Sequence, residues 1–141
     1  MPATLGLTID LDLPIDAAQP RVREALAAEG FGVLTTIDLQ AAFKEKLGRE
    51  SPPYLILGAC NPALSYRAIS AEPQVGLLLP CNVTLEGRAD GGTRVSLVDP
   101  LELMGAEALR TRPVVAEVAR EANVKLNAVA RRLSSRAEVH P

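Results

Sequence analysis

The residues with the clearest chemical potential surround a cysteine at the end of an apolar segment. Cys60 ends the run Tyr54–Cys60 and is followed directly by Asn61 and Pro62. Asn is a favoured helix N-cap and Pro a favoured first helical residue, so this pair predicts the start of a helix. A helix N-terminus lowers the pKa of a nearby thiol and binds anions. We therefore take Cys60, Asn61 and Pro62 as candidate ligand-binding residues.

Two further sulfur atoms, in Cys81 and Met104, extend this candidate site. If the segment that begins at Cys81 is a strand beside the one that ends at Cys60, both thiols lie at one end of a sheet. Three soft sulfur ligands suit Cu(I), so Cys60, Cys81 and Met104 are a candidate copper site, and the two thiols alone a candidate redox pair. The alternative is that both cysteines are small buried hydrophobic residues, which is the usual role of a free cysteine.

The carboxylates of the sequence indicate a functional site less clearly than the cysteines do. Asp99 follows an apolar segment and precedes Pro100, a pattern typical of a turn, and it is also a candidate ligand contact at a strand end. A third class of protein, a cofactor-independent enzyme, would need Glu72 or Asp99 as its general base. The sequence places no further candidate catalytic groups with either residue. The single histidine, His140, is the penultimate residue, so Ser-His and Cys-His catalytic pairs and Cys/His zinc sites are not predicted. We predict no cofactor, and an enzyme is the less favoured class.

Composition restricts the class of protein. The chain has 141 residues, of which 48% are apolar and 23% charged, as expected for one globular domain covering residues 1–141. A net charge of -2 argues against a nucleic-acid partner. No secretory signal and no apolar run of about 20 residues are visible, so we expect no membrane span and a cytoplasmic protein with reduced thiols.

One segment departs from this charge balance. Residues 110–136 contain seven Arg or Lys residues against two acidic ones, Glu117 and Glu121. Such a segment is usually the solvated face of a helix, and the alternative is a site for an acidic partner.

The predicted elements follow the order β-α-β-α-β-α-β-β-α. The apolar run 54–60 has strand length and predicts a strand covered on both faces. Segments 81–86 and 93–98 alternate apolar and polar residues around Asp90-Gly91-Gly92, which is typical of a hairpin. A hairpin requires a mixed or antiparallel sheet, so the fold class is α+β. Helical spacing of apolar residues predicts a long final helix over about 113–136.

Three motifs together resemble a known family. They are Leu57–Pro62, Gly76–Pro80 and the hairpin that runs into Val98-Asp99-Pro100, preceded by the segment Gly30–Gly32. This combination resembles the bacterial and archaeal family called domain of unknown function 302, over residues 5–104. The resemblance implies a compact α+β fold, a homodimer and no established reaction. Cys60 and Cys81 are not part of the general family pattern, and the helix after Pro113 lies beyond the resembling segment.

These observations favour a small non-enzymatic module that binds a ligand or a partner and forms a homodimer. The competing interpretation is a thiol-based metal or redox protein that uses Cys60 and Cys81.

Overall fold

The structure, a computed structural model, describes residues 5–104 and 111–139, the last five of these for the backbone alone. His140 lies outside the described residues. The elements in chain order are β1 (Gly6–Leu11), α1 (Ile15–Ala28), β2 (Gly32–Asp38), α2 (Leu39–Leu47), β3 (Tyr54–Cys60), α3 (Pro62–Ala71), a 3-10 helix (Pro73–Leu78), β4 (Cys81–Gly87), β5 (Thr93–Val98), α4 (Pro100–Leu103) and α5 (Pro113–Val139). This order confirms the predicted one and adds the 3-10 helix and α4.

The five strands form one sheet in the order β1-β5-β4-β3-β2, and each neighbouring pair is antiparallel. The predicted α+β class is therefore confirmed. The β4–β5 hairpin is confirmed too, with Gly91 at φ +90° in its turn. That angle favours glycine, because a side chain at this φ would clash with the backbone.

One face of the sheet is sealed by helices. Leu7 and Leu55 of this face are partly buried. Seven further aliphatic side chains are at most 9% exposed: Ile9, Leu11, Leu57, Val83, Leu85, Val95 and Leu97. Val22 and Leu26 of α1 and Leu126 and Val129 of α5 pack against them. Burial of each such side chain contributes about 1.5–3 kcal/mol, so this layer supplies most of the driving force for folding.

A second, smaller core joins α3 to α5. Its buried members include Leu64 and Ala68 of α3, Val75 of the 3-10 helix, and Val115 and Val118 of α5. At its solvent side Arg67 of α3 forms ion pairs with two carboxylates of α5, Glu117 and Glu121. The 27-residue helix α5 therefore takes part in both cores and fixes α3 relative to the sheet.

The other face of the sheet, called the open face below, carries mostly polar side chains. Its central members are Thr8, Asn82, Thr84, Arg94 and Ser96, of which Thr8, Asn82 and Arg94 are exposed. Strand β3 lies one place from the edge of the sheet, and its Tyr54 and Ile56 are half-buried. The expectation that β3 is covered on both faces is met only in part: the face that carries Leu57 and Ala59 is sealed, and on the other face Pro80 and Thr35 cover Gly58 alone. Among the described residues, no helix is both long and apolar enough to cross a membrane.

Candidate functional site

Asn61 fixes the start of α3 through its side-chain amide, which accepts one hydrogen bond and donates another. Its Oδ1 accepts a hydrogen bond from the Leu64 amide at 3.3 Å, which confirms the predicted N-cap, and Pro62 occupies the first helical position. Its Nδ2 donates to the backbone oxygen of Glu29, at the end of α1, at 3.4 Å. A Cβ on Gly30 would lie 3.0 Å from this Nδ2, so the chain passes close to the amide. Asn61 thus links α1 to α3.

Cys60 is half-buried at the end of β3, and Cys81 is buried at the start of β4. The Sγ of Cys60 lies 3.1 Å from Oγ of Ser65, one turn into α3. Cys81 pairs in register with Ala59, so its strand is the neighbour of the one that ends at Cys60. The two thiols therefore lie at the same end of the sheet, as the sequence predicts.

Burial raises the pKa of the Cys81 thiol to about 11, and the nearby charge of Cys60 acts in the same direction. Cys81 is consequently protonated at neutral pH. A thiol in this state is a poor nucleophile, because the thiolate is the reactive form.

Cys81 and Met104 line one small cavity of about 20 Å³ under α3. Asn61 and Ser65 supply its polar lining, and Cys60 is not among its lining residues. A space of this size holds about one water molecule or one small ion. No group of three or more His, Cys, Asp or Glu side chains in the described part of the chain is arranged to hold a metal ion.

Asp99 and Glu72 are both engaged by donors of the protein itself. Oδ1 of Asp99 accepts hydrogen bonds from the Leu101 amide at 2.9 Å and from Nδ2 of Asn123 in α5 at 3.1 Å. Asp99 therefore caps α4 and attaches it to α5, and it is not among the residues that line the Cys81 cavity. Glu72 caps the 3-10 helix and pairs with Arg112 at 2.9 Å.

The open face of the sheet forms a second candidate site, which is larger than the Cys81 cavity and which sequence reasoning missed. A groove of about 470 Å³ crosses this face, and its lining residues come from β1, β3, β4 and β5 together with Leu5. No helix residue within the described ranges lines it. One row of paired residues runs across its centre: Thr8 opposite Ser96, Ser96 opposite Thr84, and Thr84 opposite Ile56.

A charged row borders this groove. Nε of Arg94 donates to Oδ1 of Asp10 at 2.9 Å, and Arg88 lies 3.6 Å from the same carboxylate. The hydrogen bond from Arg94 lowers the pKa of Asp10, so both charges persist at neutral pH. The signal for this face was the polar half of the alternation in β4 and β5, because every second residue there points away from the core.

Residues 7–133 match the model of the family described as Domain of unknown function DUF302, so the chain belongs to that family. The crystal structure of an uncharacterized conserved protein DUF302 from Bacillus stearothermophilus is similar, with a TM-score of 0.81 and 29% sequence identity. That similarity covers 93% of this chain and 99% of the other. No curated protein matches the sequence. The family match ends at Leu133 and so includes most of α5. It is longer than the segment 5–104 whose motifs resemble the family.

The buried thiol of Cys81 predicts a specific loss of stability at high pH. The folded protein holds this proton up to about pH 11, whereas the unfolded chain releases it near pH 9.0. The free energy of unfolding should therefore fall as pH rises through this window, by at most about 1.4 kcal/mol per pH unit more than in Cys81→Ala. Urea unfolding at several pH values measures this free energy for the wild type and for Cys81→Ala. Cys60→Ala should retain the steeper fall, and parallel profiles for wild type and Cys81→Ala would show that the thiol is not buried.

Proposed function

We propose that this protein is a homodimeric, non-enzymatic binding module whose binding surface is the open face of the sheet. The observation that carries the proposal is the groove of about 470 Å³ across four strands. Its volume lies within the range of small-molecule sites, which is about 300–1,000 Å³. Tyr54 and Val98 offer apolar contact there, while Asn82, Thr84 and Ser96 offer hydrogen-bonding groups.

The same face is suited to a second copy of the chain. Two sheets that pack face to face lie about 10 Å apart. The side chains in the row from Thr8 to Ile56 are small or β-branched, so they leave room for a facing sheet. A twofold dimer brings the same surface of both copies together. Asp10 and Arg94 lie beside each other on this surface, so a symmetric partner can present a guanidinium to a carboxylate in both directions. A ligand in the groove would then lie between the two copies.

The residues Cys60, Asn61, Pro62, Cys81 and Asp99 stay as a predicted second ligand region at the end of the sheet. The presence of two free cysteines supports the further proposal that the protein works in a reducing compartment, the cytoplasm.

The proposed dimer predicts a mass of about twice 14.9 kDa by light scattering at micromolar concentration. Thr84→Arg places a long charged side chain at the centre of the open face and should give a folded monomer. Val124→Arg places the same side chain on α5, where the wild-type residue is 65% exposed, and should leave the dimer intact. A monomeric wild type, or dissociation by Val124→Arg and not by Thr84→Arg, contradicts the proposed surface.

A second candidate function is the binding of one soft metal ion by sulfur. The specific observation in its favour is that Cys81 and Met104 line the same cavity, with the thiol of Cys60 at the same end of the sheet. Thiolate and thioether ligands favour Cu(I). Because Cys81 must lose a proton with a pKa of about 11 to become a thiolate, metal binding there would release a proton.

Titration with Cu(I) against a chromophoric chelator under anaerobic conditions tests this second function. One equivalent should bind, with an affinity that rises with pH, because the thiol proton competes with the metal. Cys81→Ser and Met104→Leu should each weaken binding by about tenfold or more, and Mg²⁺ should not compete. Equal copper retention by wild type and the Cys81→Ser, Met104→Leu double variant would exclude this site.

A further inference from the structure

A second groove lies on the helical side of the molecule, between α1 and the C-terminal part of α5. Its volume is about 530 Å³. Apolar side chains form part of its surface: Ala25 and Ala28 from α1, and Ala128 and Leu133 from α5. Because α1 and α5 cover the sealed face of the sheet, this groove is separate from the open face and from the proposed dimer surface.

Arg21 gives this groove an unusual electrostatic property. Its Nε and Nη2 atoms are buried and have no hydrogen-bond partner among the described residues. A buried donor without an acceptor is costly, and the cost is greater for a charged group. Two of the three guanidinium nitrogens of Arg21 therefore have no acceptor among the described protein groups.

The other charges around the groove leave a cationic excess. It is lined by three guanidinium groups, of Arg21, Arg131 and Arg132, and by two carboxylates, of Glu24 and Glu29. Nε of Arg132 donates to Glu29 at 2.9 Å, so these two charges satisfy each other. Among the described residues, no carboxylate forms an ion pair with Arg21 or Arg131. The excess of basic residues in the segment 110–136 is thus partly concentrated at this groove.

We propose that this groove binds a small organic oxyanion. A phosphate or carboxylate group is held between Arg21 and Arg131, and the apolar body of the ligand lies on the alanine surface. The planar guanidinium fork matches both oxyanions with two parallel hydrogen bonds. Binding in this way requires the Arg21 side chain to change its torsions, so that its two buried nitrogens face the ligand, which then supplies their acceptor. The volume is sufficient for a molecule of this kind.

Phenyl phosphate and benzoate are suitable probes, with benzyl alcohol as the uncharged control. In a titration of the full ¹⁵N-labelled chain, at least one of the two anions should shift the amide signals of Ala25, Ala28 and Ala128 in a saturable manner. Benzyl alcohol should not. The stronger of the two anions identifies the oxyanion that the groove selects. Its affinity should fall as the salt concentration rises, because the groove is open to solvent and its charges are screened.

Arg21→Gln and Arg131→Gln should each weaken binding of that anion by about tenfold or more. Arg120→Gln makes the same charge change on an exposed turn of α5 that does not line the groove, and it should bind as the wild type does. If Arg21→Gln does not fold, the affinity of Arg131→Gln for the anion tests the proposal alone. Absence of saturable shifts with both anions, equal shifts with benzyl alcohol, or unchanged affinity in the folded arginine variants would overturn the proposal.

Discussion

The structure depends on the burial of one face of an antiparallel sheet under two helices. Leu57, Leu85 and Leu97 are fully buried at the centre of that face, and α1 and α5 cover them. A five-stranded sheet has two faces, and a chain whose long helices pack on one of them leaves the other to solvent or to a partner. The open face is therefore a direct consequence of how the core is closed, and the proposed dimer gives that face a role.

The packing of helices on one face also determines the surroundings of the two thiols at the end of the sheet. Helix α5 extends past the main core into the second one, where Val118 packs with Leu64 of α3. Asn61 joins α3 to α1 through Glu29, so the helices on the sealed face hold one another in place. Cys81 is enclosed in this layer, and its high pKa follows from the enclosure. A soft metal could use this thiol only by displacing a proton that the fold retains.

Local patterns in the sequence predicted the elements well, because their causes lie within a few residues. The Asn61 cap and the β4–β5 hairpin are set by neighbouring groups, and both are confirmed. Features that depend on packing between distant segments were missed. The apolar run of β3 is compatible with one covered face or two, and only the tertiary arrangement decides. The contact of Asp99 with Asn123 spans 24 positions, and the groove beside Arg21 exists only where α1 meets α5.

The most direct test of the account is to observe which surface of the sheet touches a second copy. In a sample that mixes isotope-labelled and unlabelled chains, filtered NOE spectra report only contacts between copies. The account predicts NOEs that connect the methyl groups of Thr8, Thr84 and Ile56 to open-face residues of the other copy. Intermolecular NOEs confined to α5, such as at Val124, or none at all at millimolar concentration, would contradict it.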